Sequence, residues 1–141
     1  MTTWGFRDVI EMRSENRFEQ YDLNLVLPQP LVPRADRLTL SERIGPDGKI
    51  LLPLDPAEVD ATVTRILECG YEAVAIGLMH SYACDAHELA MAEALRKAAP
   101  DLSISISSLI SPQMRELPRF NTVIANAYVQ PQVAQYLGNL R

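Results

Sequence analysis

The chain has 141 residues, 48% of them apolar, and a formal charge of −5. That length supports one substantial core and reads as a single α/β domain over residues 1–141. The acidic balance opposes a phosphate backbone, and no apolar run approaches the roughly 20 residues of a bilayer span or follows the pattern of a signal peptide. Nucleic acid and membrane are therefore set aside as partners, and the cytoplasm is the expected location.

In chain order, Phe6, Val9 and Ile10 fall at helical spacing behind Thr2 or Thr3 as a cap, with charged residues from Glu11 to Arg17 facing outward. The prolines Pro28, Pro30 and Pro33 predict an extended connection from Tyr21 to Arg34, because each removes a backbone donor and fixes φ. Leu38, Leu40 and Ile44 alternate with Arg37, Thr39 and Arg43. Gly45-Pro46-Asp47-Gly48 then supplies a turn and Ile50, Leu52 and Leu54 alternate on the return, which predicts a β-hairpin.

Asp55-Pro56-Ala57-Glu58 joins an N-cap acid, a first-turn proline and a capping-box glutamate, with Val59, Val63, Ile66 and Leu67 on one helical face and Gly70 as the stop. Ala73 to Met79 is apolar on both faces, as a strand covered by helices requires. Asp85-Ala86-His87-Glu88 repeats the capping box and opens a helix with Leu89, Met91, Leu95 and Ala98 inward and Pro100 as its end. Leu102, Ile104 and Ile106 alternate with serines and predict a second strand. Two strands joined by one helix form a right-handed βαβ unit with a parallel pair, so the fold class is α/β: a small mixed sheet, a hairpin and helices packed on the sheet. After Pro112 and Pro118 a last helix is predicted from about Thr122, with Val123, Ala127, Ala134 and Leu137 in period, Pro131 interrupting its ladder and a kink near Ala127. Both ends of the chain read as cut from something longer.

Ligands of open α/β sheets lie beyond the carboxyl ends of the strands. There the sequence places His80, Ser81, Tyr82, Cys84, His87 and Glu88. Three readings compete. His80, Cys84 and His87 are three donors for a metal site. Ser81 or Cys84 with His87 as base is a nucleophilic arrangement, although Ser81 lacks a glycine-flanked elbow. The structural reading has Asp85 as cap, His87 and Glu88 in the first helical turn, and His80 bonded to backbone. A further role in ordering the loop or contacting substrate beside another domain also stands. A second cluster holds Arg115, Glu116, Arg119, Asn121, Thr122, Asn126 and Tyr128. Thr122 and Asn126 share a helix face there, read either as ligand contacts or as a cap plus a satisfied amide. The six glycines are scattered, so no phosphate-cradling turn is present, and no carboxylate pair beside a glycine turn suggests a magnesium site.

Read in order, Gly5-Phe6-Arg7-Asp8-Val9, Pro30-Leu31-Val32-Pro33-Arg34, Glu42-Arg43, Leu78-Met79-His80-Ser81-Tyr82, His87-Glu88 and Asn126-Ala127-Tyr128-Val129-Gln130-Pro131 resemble the N-terminal region of the hydantoinase/oxoprolinase family, which includes the hydantoinase A subunit, 5-oxoprolinase and an acetone carboxylase subunit. The chain departs from that pattern at Cys84-Asp85 and Leu117-Pro118. The resemblance implies part of an actin-like ATPase-type fold and an enzyme that couples ATP hydrolysis to opening cyclic amides or imides, or to activating a ketone for carboxylation. It carries over His80, Ser81, Tyr82, His87, Arg119, Asn126 and Tyr128 as matched positions. ATP and magnesium are implied for the complete enzyme, while the glycine-rich nucleotide elements of the family fall outside this chain. The expected partners are the remaining domains of one enzyme or a second hydantoinase-type subunit, with self-association a further expectation. The alternatives are a non-catalytic interaction module, a subunit of an ATP-dependent ketone carboxylase, and a small metal-binding protein.

Overall fold

A computed structural model describes residues 1–12, 21–24, 26 and 28–139. The element with the strongest local signals is α2, Pro56–Cys69. Asp55 accepts a hydrogen bond from Ala57 N–H, Pro56 occupies the first turn, where no backbone donor is needed, and Gly70 closes the helix at φ 66°. Val63 and Ile66 are buried, but Leu67 is exposed and lies off the inward face. Glu58 does not complete a capping box. Its carboxylate accepts instead from the backbone N–H and hydroxyl of Ser41, tying the helix start to the segment before it.

The predicted parallel pair is present as β5, Ala73–Ile76, and β6, Ser103–Ile106, in register from Ala73 opposite Ser103 to Ile76 opposite Ile106. Between them runs α3, Ala86–Ala98, which buries Met91, Ala92 and Leu95 and leaves Leu89 and Ala98 exposed. Leu40, Ile66, Ile76, Leu78, Met91 and Leu95 are among the most deeply buried side chains of the core. Each fully buried aliphatic side chain of this kind contributes about 1.5–3 kcal/mol.

Three expectations are corrected. Thr2 and Thr3 do not cap a helix: they form β1, Thr2–Thr3, which pairs in parallel with β2, Thr39–Leu40, while the first helix is only α1, Val9–Met12. A bridge from Thr2 to Gly77 then joins this pair to the end of β5, so the spatial order is β2, β1, β5, β6, all parallel. Beyond Met12, the charged run expected to continue to Arg17 lies outside the described residues. Leu38 and Leu40 belong to the parallel array rather than to the hairpin, which is limited to β3, Arg43–Ile44, and β4, Ile50–Leu52. All three residues of β4 are exposed. The third correction concerns the last helix, α5, Glu116–Gly138, which starts before Thr122 and runs on through Pro131. Pro118 falls in its first turn, where a missing N–H costs no hydrogen bond, so a residue expected to precede the helix is accommodated within it. A short helix, α4, Ser107–Ile110, leads into it. Val123 and Ala127 are buried as expected, whereas Ala134 and Leu137 are exposed.

The segment before β2 is held by ion pairs. Arg34 meets Asp8 at 2.9 Å and Arg37, itself buried, meets Glu11 at 2.7 Å. The guanidinium groups hold both carboxyls below their ordinary range.

Gly77 is where α5 crosses the sheet. A Cβ there would lie 2.7 Å from the buried Phe120 ring. Gly77→Ala is therefore expected to destabilise the fold by about 1–3 kcal/mol, read as a lower denaturant midpoint. An unchanged midpoint would mean that Phe120 can move aside without loss.

Candidate functional site

The loop after β5, the start of α3 and the first turn of α5 bring His80, Ser81, Tyr82, His87 and Arg119 to one end of the parallel array. They are linked through carboxylates. Glu88 is fully buried, and its Oε1 accepts from Leu78 N–H at 2.8 Å and from the Ser107 hydroxyl at 2.6 Å, while Oε2 accepts from Ser108 N–H at 2.9 Å. It thus clamps the ends of both β5 and β6 and is not the second half of a capping box. Asp85 makes no side-chain cap either, which corrects that part of the structural reading.

Arg119 has 0% of its surface exposed. Its Nε–H donates to Ser107 Oγ at 3.1 Å, its Nη1 to Gln113 C=O at 2.7 Å and its Nη2 to Leu78 C=O at 2.7 Å. Its guanidinium also stands 5.7 Å from the Tyr82 ring centroid and 5.3 Å from that of Phe120. Burial pulls Arg119 below the ordinary guanidinium value, and the nearby Glu116 and Glu88 oppose that pull. Because Ser107 gives its proton to Glu88, the Ser81 hydroxyl, 3.2 Å away, is the donor in their contact. Ser81 therefore sits in a proton-satisfied network and has no histidine base.

A second buried chain runs alongside. His87 Nδ1 is 2.7 Å from Glu42 Oε2, the Thr3 hydroxyl donates to Glu42 Oε1, and Thr3 Oγ1 accepts from Met79 N–H at 2.9 Å. Thr3, Glu42 and His87 are all buried. The carboxylate fixes His87 with its Nδ1 toward Glu42, and among the described residues no hydrogen bond joins His87 to Ser81 or Cys84. Motif spacing alone misses Glu42 and Thr3 as partners. A signal for Glu42 does exist: Leu38, Leu40, Glu42 and Ile44 share one alternation, which places an acid on an apolar, inward-facing row.

His80 marks the rim. It adopts φ 54°, the left-handed region that a residue with a Cβ enters at a cost of about 1–2 kcal/mol. Its C=O accepts from Ala83 N–H at 2.9 Å, its Nδ1 lies 2.7 Å from Ile44 C=O, and its ring meets Tyr82 edge-on at 6.0 Å. The backbone bond expected for His80 is thus made, and Nδ1 must be the protonated nitrogen. His80, Tyr82 and Cys84 are half-buried around this turn. His80, Cys84 and His87 do not come together: among the described residues no group of three His, Cys, Asp or Glu is placed to hold a metal ion.

Asn126 and Tyr128 lie apart from this cluster on α5. Asn126 Nδ2 donates to Ser105 Oγ at 2.9 Å, and Ser105 donates to Gln130 at 3.0 Å, which docks the helix on β6. Tyr128 is exposed. Thr122 Oγ1 donates back to Pro118 C=O within the helix. No described helix is long and apolar enough to cross a membrane.

Residues 1–99 match the hydantoinase/oxoprolinase N-terminal region. An uncharacterised protein of Methanocaldococcus jannaschii is 37% identical over 139 residues, covering 99% of this chain and 20% of the relative. The caprolactamase alpha subunit of Pseudomonas jessenii is 32% identical over 139 residues, covering 97% of this chain and 20% of that subunit. The crystal structure of the ATP-dependent caprolactamase from the same organism superposes with a TM-score of 0.87 at 31% identity, over 99% of this chain and 20% of that one. The chain thus spans about a fifth of the length of these relatives.

Proposed function

Because this chain belongs to the hydantoinase/oxoprolinase family, we propose that it acts as a segment of an ATP-dependent, cytoplasmic hydrolase that opens cyclic amides or imides, and that it is inactive until the rest of that enzyme is present. One observation carries the reading. At the carboxyl ends of β5 and β6 the charged groups are buried and joined through the Ser107 hydroxyl, so Arg119, Glu88, Ser107 and Ser81 form a rigid support rather than a reaction centre. The groups left at its rim are His80, whose Nε2 is an acceptor once Nδ1 holds the proton, and Tyr82. The six glycines of the chain make no phosphate-cradling turn. Nucleotide and magnesium would then be held by the other parts of the enzyme, and this segment would present a pre-ordered rim to them. The caprolactamase relative favours a lactam or similar cyclic amide as substrate class.

The rim is tested in an enzyme of the relatives' full size. His80→Gln and Tyr82→Phe are expected to lower amide-dependent ADP release about tenfold or more, with little change in thermal midpoint. Wild-type turnover in both variants would assign the rim to packing alone.

A further inference from the structure

The β3–β4 hairpin and the residue before it meet the loop from His80 to His87 at three places. Glu42, directly ahead of β3, holds His87 Nδ1 at 2.7 Å. Two residues on, Ile44 C=O accepts from His80 Nδ1 at 2.7 Å. Gly48, in the hairpin turn, seats its backbone on the loop: a Cβ there would lie 3.1 Å from the Ala83 carbonyl oxygen and 3.8 Å from Cys84 Cβ. Pro46, Asp47 and Lys49 of the same turn are exposed, as are all three residues of β4, whereas Ile44 is buried and Gly48 half-buried. The hairpin is therefore held from its inner side. Its turn is also stiff. Gly45 N–H donates to Lys49 C=O at 2.8 Å, Gly48 N–H to Gly45 C=O at 3.0 Å and Lys49 N–H to Asp47 Oδ1 at 3.2 Å. A displacement at Gly48 is thereby carried to Gly45 and to the Ile44 carbonyl beside it.

We propose that this hairpin is the positioning element of the rim, with Ile44 and Gly48 as its positioning residues: it keeps the His80 turn in place and fixes the tautomer of the imidazole, so that Nε2 is presented outward as an acceptor. A carbonyl oxygen can only accept, so the bond to Ile44 puts the His80 proton on Nδ1. The free side chain favours the Nε2–H form, and here the partner of one ring nitrogen decides the state of the other. The stretch that Gly48 touches is the one that closes on His80: Ala83 N–H and Cys84 N–H donate to His80 C=O at 2.9 and 3.3 Å, with His80 itself at φ 54°. Glycine at position 48 answers two demands at once, a φ of 79° and a close backbone approach. The consequence for turnover rests on the rim reading of His80 proposed above; the tautomer does not.

Gly48→Ala and Gly70→Ala form a matched pair for testing it. Gly70 also has a positive φ, 66°, but an added Cβ there meets nothing within 4 Å, so both substitutions carry similar backbone strain and only the first presses on Ala83. Nitrogen NMR of the His80 ring in the 141-residue chain reads the tautomer. The wild-type chain and Gly70→Ala are expected to hold mainly the Nδ1–H form, while Gly48→Ala lowers the ratio of Nδ1–H to Nε2–H about fivefold, the worth of one hydrogen bond, and Gly48→Val lowers it further. An unchanged ratio in both Gly48 variants, or an equal shift in Gly70→Ala, would overturn the hairpin's role. A shifted ratio confined to the Gly48 variants supports it, even if His80→Gln retains wild-type turnover in the full-size enzyme, an outcome that sinks the rim reading alone.

Discussion

Arg119→Ala is expected to cost about 3–5 kcal/mol of folding free energy, the range for breaking a buried charged group out of its partners. The side chain is wholly inaccessible, and its removal leaves Leu78 C=O and Gln113 C=O without their donors, takes one donor from Ser107, and opens a void beneath Tyr82 and Phe120. Against a total stability of about 5–15 kcal/mol for a domain, that is a large fraction. Arg119→Lys keeps the charge but loses the planar fork, so most of the loss should remain. Denaturant titration reads both variants. A cost below about 1 kcal/mol for Arg119→Ala would show that the guanidinium does not hold the ends of β5 and α5 together.

Glu88→Gln, nearly isosteric, is expected to cost about 2–3 kcal/mol. The carboxylate accepts from three donors, two of them backbone N–H groups. An amide offers one oxygen only, so its NH2 must face a donor, and turning it over moves the conflict from Ser108 N–H to Leu78 N–H and Ser107. Because Ser107 links Glu88 to Arg119, the double variant should lose less than the sum of the singles, with a coupling of about 0.5–3 kcal/mol. Strict additivity would mean that the two charged groups are independent.

These two residues illustrate what was legible in the sequence. Glu88 and Arg119 stand out as charges, but a capping box and a helix-face cluster are local patterns, and the partners that decide both roles come from other elements. Where local chemistry is decisive, the reading holds: Asp55, Pro56 and Gly70 bound α2, and the apolar runs of β5 and β6 pair in parallel as expected. Thr2–Thr3 has too few residues for any periodicity, and it becomes a strand only because Leu38, Leu40 and Gly77 supply its hydrogen bonds. Pro118 misplaces the start of α5 because a first-turn proline and a helix-breaking proline look alike until the cap is known. The candidate site was legible as the cluster His80 to Glu88, yet Thr3, Glu42 and Ser107, which orient it, carry no spacing signal relative to that cluster. Asn126 and Tyr128 share the family pattern but stand on a different part of α5, where Asn126 fastens the helix to β6.

The reading of this chain as a supporting segment is tested most directly by ADP release from ATP in the presence of 5-oxoproline, hydantoin or caprolactam, comparing the 141-residue chain with an enzyme of the relatives' full size. Amide-dependent release by the full-size enzyme and none by the chain alone is the predicted result. Turnover by the 141-residue chain itself would contradict the account, because it would require a nucleotide site that its scattered glycines do not form.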